Sequence, residues 1–243
     1  MENKLILGQV ATDHKSNEIT AIPELLETLD LKGATVSIDA MSCQKTIAAK
    51  ILEKKANYLL AVKGNHPHLH EDIKEYFDDA RISFAGDEDI DVDKGHGRLE
   101  WRRVRVCRDI GWFDGAKDWP KLSAIVEVEA RRTFPNPSTR DRRWYVTSSA
   151  ATAAVLARQV RGHWGIENKV HWMLDVTFRE DGARPRKDHA PENLSILRRL
   201  TMNLLKQVTV PKKPDISVRR KRKRANRNDA FLKEVLLAAF AAN

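Results

Sequence analysis

The chain has 243 residues, of which 42% are hydrophobic and 32% charged, and its formal net charge is +9. This length and apolar content are enough to bury a sizeable core. The positive charge favours a polyanionic partner, with nucleic acid first and a basic protein without such a partner as the alternative. The sequence has no apolar run as long as a membrane span and no signal peptide, so we expect no membrane partner and a cytoplasmic location. Cys43 and Cys107 fit no metal-binding spacing and are expected to be free thiols.

The first third of the chain alternates between strand-like and helix-like patterns. Short apolar or β-branched runs predict strands, and apolar residues at helical spacing predict helices. In chain order the patterns predict a strand at 5–12, a helix at 18–31, a strand at 34–40, a helix at 44–55, a strand at 58–62 and a helix at 68–80. This order is typical of an α/β layer fold with parallel strands.

The middle of the chain has a different pattern. Residues 86–93 are acidic and are expected to be loose. Polar and apolar residues then alternate in three segments, which predicts antiparallel strands at 98–107, 122–133 and 143–147. We interpret these strands as a β-rich insertion.

Helical patterns return in the last third. They predict a long helix at 152–175, a second helix at 191–208 that begins with Pro191, and an amphipathic helix at 229–242. The basic segment 212–227 is interpreted as an exposed linker. Its run RRKRKR is either a phosphate-binding segment or a solvated connection.

Two carboxylates are candidates for chemistry. Asp39 ends the strand at 34–40, where open α/β sheets gather their sites, and it either holds a ligand or caps the next helix. Glu167 lies at the centre of a largely apolar helix stripe that includes Leu156, Val160 and Leu174. A buried charge is costly unless it is paired, so Glu167 is expected either to bind a metal ion or to pair with an arginine.

Histidines and a tryptophan lie on the same predicted helix as Glu167. His163, Glu167 and His171 form a row at helical spacing that zinc could occupy, although the spacing is not that of the metalloproteases. Trp164 either packs in the core or stacks on unpaired bases, and the basic residues around it favour phosphate contacts. Beyond the row lie three further acids that either help to bind a metal or are solvated, namely Asp175, Glu180 and Asp181.

Several ordered stretches of the sequence resemble one protein family. They are KSNEITAIPELLETLDLKGATVSIDAMSCQ, YLLAVKGN, HGRLEWRR, VRGHWGIENKVHWMLDVTFRED and APENLSILRRLTMNLLKQ. These stretches closely resemble the H-repeat-associated proteins, an insertion-sequence transposase family with a DDE active site on an RNase H-like fold. The resemblance covers nearly the whole chain. One departure is Ser42, where the family pattern AMGCQ has glycine.

The resemblance implies a fold and a domain organisation. The fold class would be α/β, with a mixed RNase H-like sheet flanked by helices and a β-rich insertion before the last catalytic helix. Residues 1–85 would form a partial catalytic core and 86–150 the insertion. Residues 151–210 would be helices that complete the core, and 211–243 a basic linker with a terminal helix.

The resemblance also implies site residues. Asp39, in SIDAM, matches the second catalytic acid, and Glu167, in HWGIEN, matches the final one. Both would hold Mg²⁺ or Mn²⁺, which prefer oxygen ligands and serve the cleavage and joining of DNA. DNA contacts are expected from the KGN and HWGIEN motifs and from the basic run, at Lys63, Asn65, His163, Trp164, Asn168, Arg219, Arg220, Lys221 and Arg222.

The family's first catalytic aspartate has no evident counterpart in this sequence. Asp13 follows a predicted strand but lies in a turn, so we do not assign it that role. We therefore expect either an N-terminally truncated, inactive copy or a translation start assigned too far downstream. Such a chain would lack the first two strands of the fold, leave the strand at 34–40 with an unpaired edge, and fold only marginally.

The expected function is metal-dependent DNA cleavage and strand transfer by an insertion-sequence transposase, which by analogy acts as a homodimer on DNA. One alternative is a non-catalytic DNA-binding remnant. Another is an RNase H-like nuclease that cuts DNA without joining it. A zinc hydrolase that uses the His163–Glu167–His171 row is the fourth hypothesis.

Overall fold

A computed structural model describes residues 5–10, 18–79, 86–95, 98–133, 139–211, 214 and 216–238. Asp13 lies outside the described residues. Only the backbone is described for Glu18, Gly95, Arg98, Glu167 and Asn168. The chain divides into two compact units, which we call the sheet unit, Thr12–Trp164, and the helical unit, Met1–Ala11 with Gly165–Asn243.

The described strands all belong to the sheet unit. Its elements in chain order are α1 (Glu18–Glu27), β1 (Thr35–Ile38), α2 (Lys45–Glu53), β2 (Asn57–Val62), α3 (Pro67–Asp78), β3 (Asp87–Gly95), β4 (Arg98–Cys107), β5 (Ala124–Thr133), β6 (Thr139–Thr147) and α4 (Ala153–Ile166). Short 3-10 helices follow β1 at Ala40–Ser42 and β4 at Asp114–Asp118.

The strands form one mixed six-stranded sheet in the order β1-β2-β6-β5-β4-β3. β1 and β2 are parallel, with Ile38 opposite Leu60, and the other neighbours are antiparallel. The sequence predicted the parallel pair and three of the four described strands that pair antiparallel beyond it, namely β4, β5 and β6. β6 lies between β2 and β5, so the β-rich stretch continues the sheet of β1 and β2. β1 forms one end of this sheet and pairs only with β2 among the described strands.

Apolar layers cover both faces of the sheet, because successive side chains of a strand point to opposite sides. On one face Ile125 and Val146 pack with residues of α2 and α3. On the other face Val126 and Tyr145 pack with Leu156 of α4. Each fully buried side chain of this size stabilises the fold by about 1.5–3 kcal/mol. The two cysteines are free, as the sequence predicted, and both are buried.

The acidic segment predicted to be loose is strand β3. Its backbone pairs with β4 from Asp87, opposite Val106, to Gly95. One of its acids is compensated from a helix, because Asp91 accepts a hydrogen bond of 2.6 Å from the Arg161 guanidinium of α4. The sequence prediction was wrong here because the cations that neutralise β3 lie on other elements.

The helical unit continues the chain after α4. A π-helical segment, Glu167–His171, leads into α5 (Trp172–Phe178), and then follow α6 (Ala190–Gln207), α7 (Val218–Ala225) and α8 (Asp229–Leu237). Leu205 of α6, Phe231 and Val235 of α8 form its small core. No helix among the described residues has the length and apolar character needed to cross a membrane.

The strand predicted at 5–12 is not formed over residues 5–10, which have no regular secondary structure. A strand needs a backbone partner, and here a side chain takes that place. The Asn203 amide of α6 accepts a hydrogen bond from the Ile6 N–H (3.0 Å) and donates one to the Ile6 carbonyl (2.7 Å).

The basic segment predicted as an exposed linker contains a helix, α7. The Ser217 hydroxyl caps its first turn by accepting from the Arg220 N–H. Lys221 is buried, and its ammonium donates to the Leu205 carbonyl (3.0 Å) and the Val208 carbonyl (2.5 Å) at the end of α6. Because α6 leaves unpaired carbonyls at its C-terminus, a buried cation is stabilised there, which corrects the prediction of full exposure for this run.

Candidate functional site

Asp39 directly follows β1, at the carboxyl end of the parallel strand pair. It is exposed and occupies the N-cap position of the Ala40–Ser42 helix, but its side chain makes no capping hydrogen bond. Of the two roles that the sequence left open, the capping role is therefore not realised. The carboxylate faces solvent at the sheet edge where α/β folds place their ligands.

The turn that carries Asp39 is fixed by the loop after β2. The Asn65 amide donates to the Ala40 carbonyl (2.5 Å) and accepts from the Lys63 N–H (3.3 Å). The His66 imidazole donates through Nε2 to the Cys43 carbonyl (2.5 Å). Two side chains from the loop after the neighbouring parallel strand thus bind two carbonyls of the Asp39 turn. Asn65, predicted as a DNA contact, is engaged with the protein backbone.

A cleft of about 380 Å³ lies beside this turn, partly lined by Asn65 and His66. The His66 ring meets the Trp119 ring edge-on, with 5.5 Å between centroids. Across the cleft Lys45 forms an ion pair of 2.8 Å with Asp118. Sequence reasoning missed His66, although its place directly after the KGN motif, at the end of a predicted strand, was a usable signal.

His163 and Trp164 end the part of α4 that belongs to the sheet unit. His163 Nδ1 is hydrogen-bonded to Ser37 Oγ of β1 at 3.1 Å, two residues before Asp39. The Trp164 indole N–H donates to the Tyr145 hydroxyl (3.3 Å), and the Arg143 guanidinium lies 3.9 Å from the centroid of its ring. His163 therefore ties α4 to β1, and one face of the Trp164 indole is covered by a cation.

Glu167 and Asn168 begin the π-helical segment of the helical unit, with only their backbone described. A π turn advances by about five residues instead of four, so the row His163, Glu167 and His171 does not keep α-helical spacing. Segments of this kind are frequent at functional sites. The described side chains contain no group of three or more histidine, cysteine or acidic residues placed to hold a metal.

The acids beyond the π segment differ in their surroundings. Glu180 accepts hydrogen bonds from Arg199 (2.6 Å) and Ser195 (3.0 Å), so it is part of an ion pair. Desolvation, followed by the charge of Asp181, raises the pKa of the Asp175 carboxyl above its ordinary value. Of Asp39 and Glu167, the two acids matched to the catalytic site, Asp39 has a described side chain, and its exposed carboxylate fits the oxygen ligand preferred by Mg²⁺.

The four residues of α7 that were predicted to contact DNA differ in their exposure and in their partners. Arg219 and Arg220 are exposed. Lys221 is buried, and desolvation lowers the pKa of its ammonium. Arg222 donates to the Thr177 carbonyl, and its guanidinium lies 5.3 Å from the Phe178 ring centroid, so it ties α7 to α5. This helix thus exposes Arg219 and Arg220 to solvent and uses Lys221 for packing.

Comparison with known proteins decides the family. The family model described as "Transposase DDE domain" matches residues 1–204. The chain belongs to the DDE transposase family. The resemblance to H-repeat-associated transposases is thereby confirmed, and the mixed α/β sheet flanked by helices is compatible with the RNase H-like fold expected for it.

Relatives of this transposase domain are known in Escherichia coli. The protein named "Putative transposase YncI" in strain O157:H7 is 40% identical over 242 residues, which are 97% of this chain and 61% of the relative. "H repeat-associated putative transposase YhhI" of strain K12 is 36% identical over 241 residues, 96% of this chain and 63% of the relative. The chain thus spans less than two thirds of the length of these relatives.

Proposed function

We propose that this chain forms part of the catalytic domain of an insertion-sequence transposase, which cuts DNA and joins the ends to new DNA. Asp39 and Glu167 would hold Mg²⁺ or Mn²⁺. The observation that carries the proposal is the exposed carboxylate of Asp39, which follows a parallel strand and makes no capping hydrogen bond. Membership of the DDE transposase family supports DNA as the substrate.

The residues around Asp39 suit phosphoryl transfer on DNA. When bound, divalent ions activate the attacking hydroxyl and stabilise the leaving oxygen. Asp39 offers its carboxylate oxygens as ligands. The exposed ammonium of Lys63, at the end of the neighbouring strand, suits a phosphate oxygen of the substrate. Asn65 and His66 fix the Asp39 turn, so the carboxylate is positioned before substrate arrives.

The first test is a cleavage assay with Mg²⁺ or Mn²⁺ on DNA that carries the element's ends, using the 243-residue chain, a version extended upstream, and the Asp39→Asn variant of each. We expect the variant to lose cleavage and to keep its affinity for DNA, because the amide keeps the shape but loses the charge that holds the metal. The matched control is Asp30→Asn, an exposed aspartate after α1 in the same unit. Cleavage by the Asp39→Asn variant at the unaltered rate would remove Asp39 from the site.

The same assay separates the alternatives. Salt-sensitive DNA binding without cleavage by the unaltered chain would favour a non-catalytic DNA-binding role. Cleavage without joining of the ends would favour a nuclease. Cleavage that depends on zinc and not on magnesium or manganese would contradict the oxygen-ligand site.

A further inference from the structure

A buried carboxylate in the outer half of the sheet holds three arginines. Glu129 of β5 is 0% exposed. Arg103 of β4 donates through Nη2 to its Oε2 at 2.7 Å. Arg131 of β5 and Arg140 of β6 each donate through Nε to its Oε1, at 2.8 and 2.6 Å. Three guanidinium groups on three strands are therefore fixed by one anion.

This cluster carries excess positive charge. Within the part of the chain that the structure describes, three guanidinium groups against one carboxylate leave two uncompensated positive charges. The next cluster toward the core has no such excess, because Arg105 and Arg142 face the two carboxylates of Glu127 and Asp78. The cluster around Glu129 thus has the excess positive charge of an anion-binding site. The charges of the cluster around Glu127 balance one another, as in a closed ion-pair network.

Arg131 and Arg140 are also accessible. Their side chains are 53% and 55% exposed. Both use Nε to bind Glu129, and their Nη groups make no hydrogen bond within the part of the chain that is described. The two residues are direct cross-strand partners, so their guanidinium groups lie side by side on one face. Trp101 lies on that face, and the Arg131 guanidinium is 4.9 Å from its ring centroid.

We propose that Arg131 and Arg140, held in place by Glu129, bind phosphate groups of the DNA backbone at a site separate from the Asp39 turn. The fixed Nε leaves the two Nη groups of each guanidinium as a fork that matches phosphate oxygens. The open, half-exposed setting suits a phosphodiester that passes along the surface. The identification of the polyanion as DNA rests on the proposed function.

The test is binding of a fluorescently labelled DNA duplex of arbitrary sequence to the full chain, measured by anisotropy in EDTA at several salt concentrations. For the double variant Arg131→Gln/Arg140→Gln we expect the affinity for DNA to fall on the order of tenfold. The plot of the logarithm of the association constant against the logarithm of the salt concentration should become shallower by about 1.8, since each of the two phosphate contacts contributes about 0.9. The matched control is Arg132→Gln. Arg132 is 47% exposed, points to the opposite face and pairs with Glu100.

Several outcomes decide the proposal. An equal effect of the control and the double variant, or no effect of either, would overturn it. If the Arg131→Gln/Arg140→Gln variant unfolds, the variant Arg131→Lys/Arg140→Lys takes its place. It keeps both positive charges, so we expect it to keep the salt dependence of DNA binding. A weaker salt dependence in this lysine variant would also overturn the proposal. Displacement of the duplex by millimolar inorganic phosphate at constant ionic strength would indicate a site for free phosphate. Because EDTA prevents metal-dependent cleavage, a failure here is distinct from a failure of the Asp39 assignment.

Discussion

Replacing Glu129 by glutamine removes the anion that three arginines surround. Burial is the largest single influence on the pKa of Glu129, and it favours the neutral carboxyl. Hydrogen bonds from Arg131 and Arg140 and the charges of Arg140 and Arg103 act in the opposite direction. Together they outweigh burial, so the pKa of Glu129 falls from 4.5 to about 2. That difference corresponds to about 3 kcal/mol of folding free energy, since a tenfold change in proton affinity is worth about 1.4 kcal/mol. We expect Glu129→Gln to lose about this much near neutral pH, which lowers the midpoint of thermal unfolding by roughly 10 °C.

The pH dependence gives the sharper assay. A carboxyl whose pKa is lower in the folded state stabilises the fold fully above its unfolded pKa, and this contribution disappears as pH falls through the folded value. The unfolding free energies of the original chain and of Glu129→Gln should therefore differ at pH 7 and converge between about pH 4.5 and pH 2. Glu88→Gln, an exposed glutamate of β3, is the control. A difference that stays constant over this pH range would refute the charge argument.

Three further predictions concern other parts of the chain. Asn65→Ala frees the Asp39 turn, so metal-dependent cleavage should fall on the order of tenfold and need more metal for half-maximal rate, as a metal titration would measure. Lys221→Met leaves two carbonyls at the end of α6 unpaired and should cost about 1–3 kcal/mol in denaturant unfolding. The exposed Lys223→Met should cost almost nothing. Arg219→Gln/Arg220→Gln should weaken DNA binding uniformly across sequences and flatten its salt dependence, and unchanged affinity would make α7 purely structural.

Local patterns in the sequence predicted much of the fold. β1, α2 and β2 were identifiable because apolar and β-branched runs alternate with helical spacing, and parallel pairing of β1 with β2 followed from that order. The position of Asp39 at the end of β1 followed from the same pattern. The π-helical segment at Glu167 was not predictable, since residue periodicity does not distinguish a single wide turn within a long helix.

Charged segments were harder to predict, because their partners are distant in the sequence. β3 is acidic and was expected to be loose, yet Asp91 is neutralised by Arg161, which follows 70 residues later. Glu129 is fully buried, and arginines from three strands form ion pairs with it. No local sequence pattern predicts that arrangement.

The sequence by itself determined the order of most elements, the excess of positive charge and the family motifs that contain Asp39 and Glu167. Each of these depends on residues that are neighbours in the chain. Only the tertiary structure decided which charges are compensated. Lys221 is buried by the end of α6, and Asn65 is engaged by the Asp39 turn. Arg131 and Arg140 stay accessible beside a single shared carboxylate. The physical reason is that the free energy of a charge depends on its solvent exposure and on partners within a few ångströms, and both are fixed only when distant segments pack together.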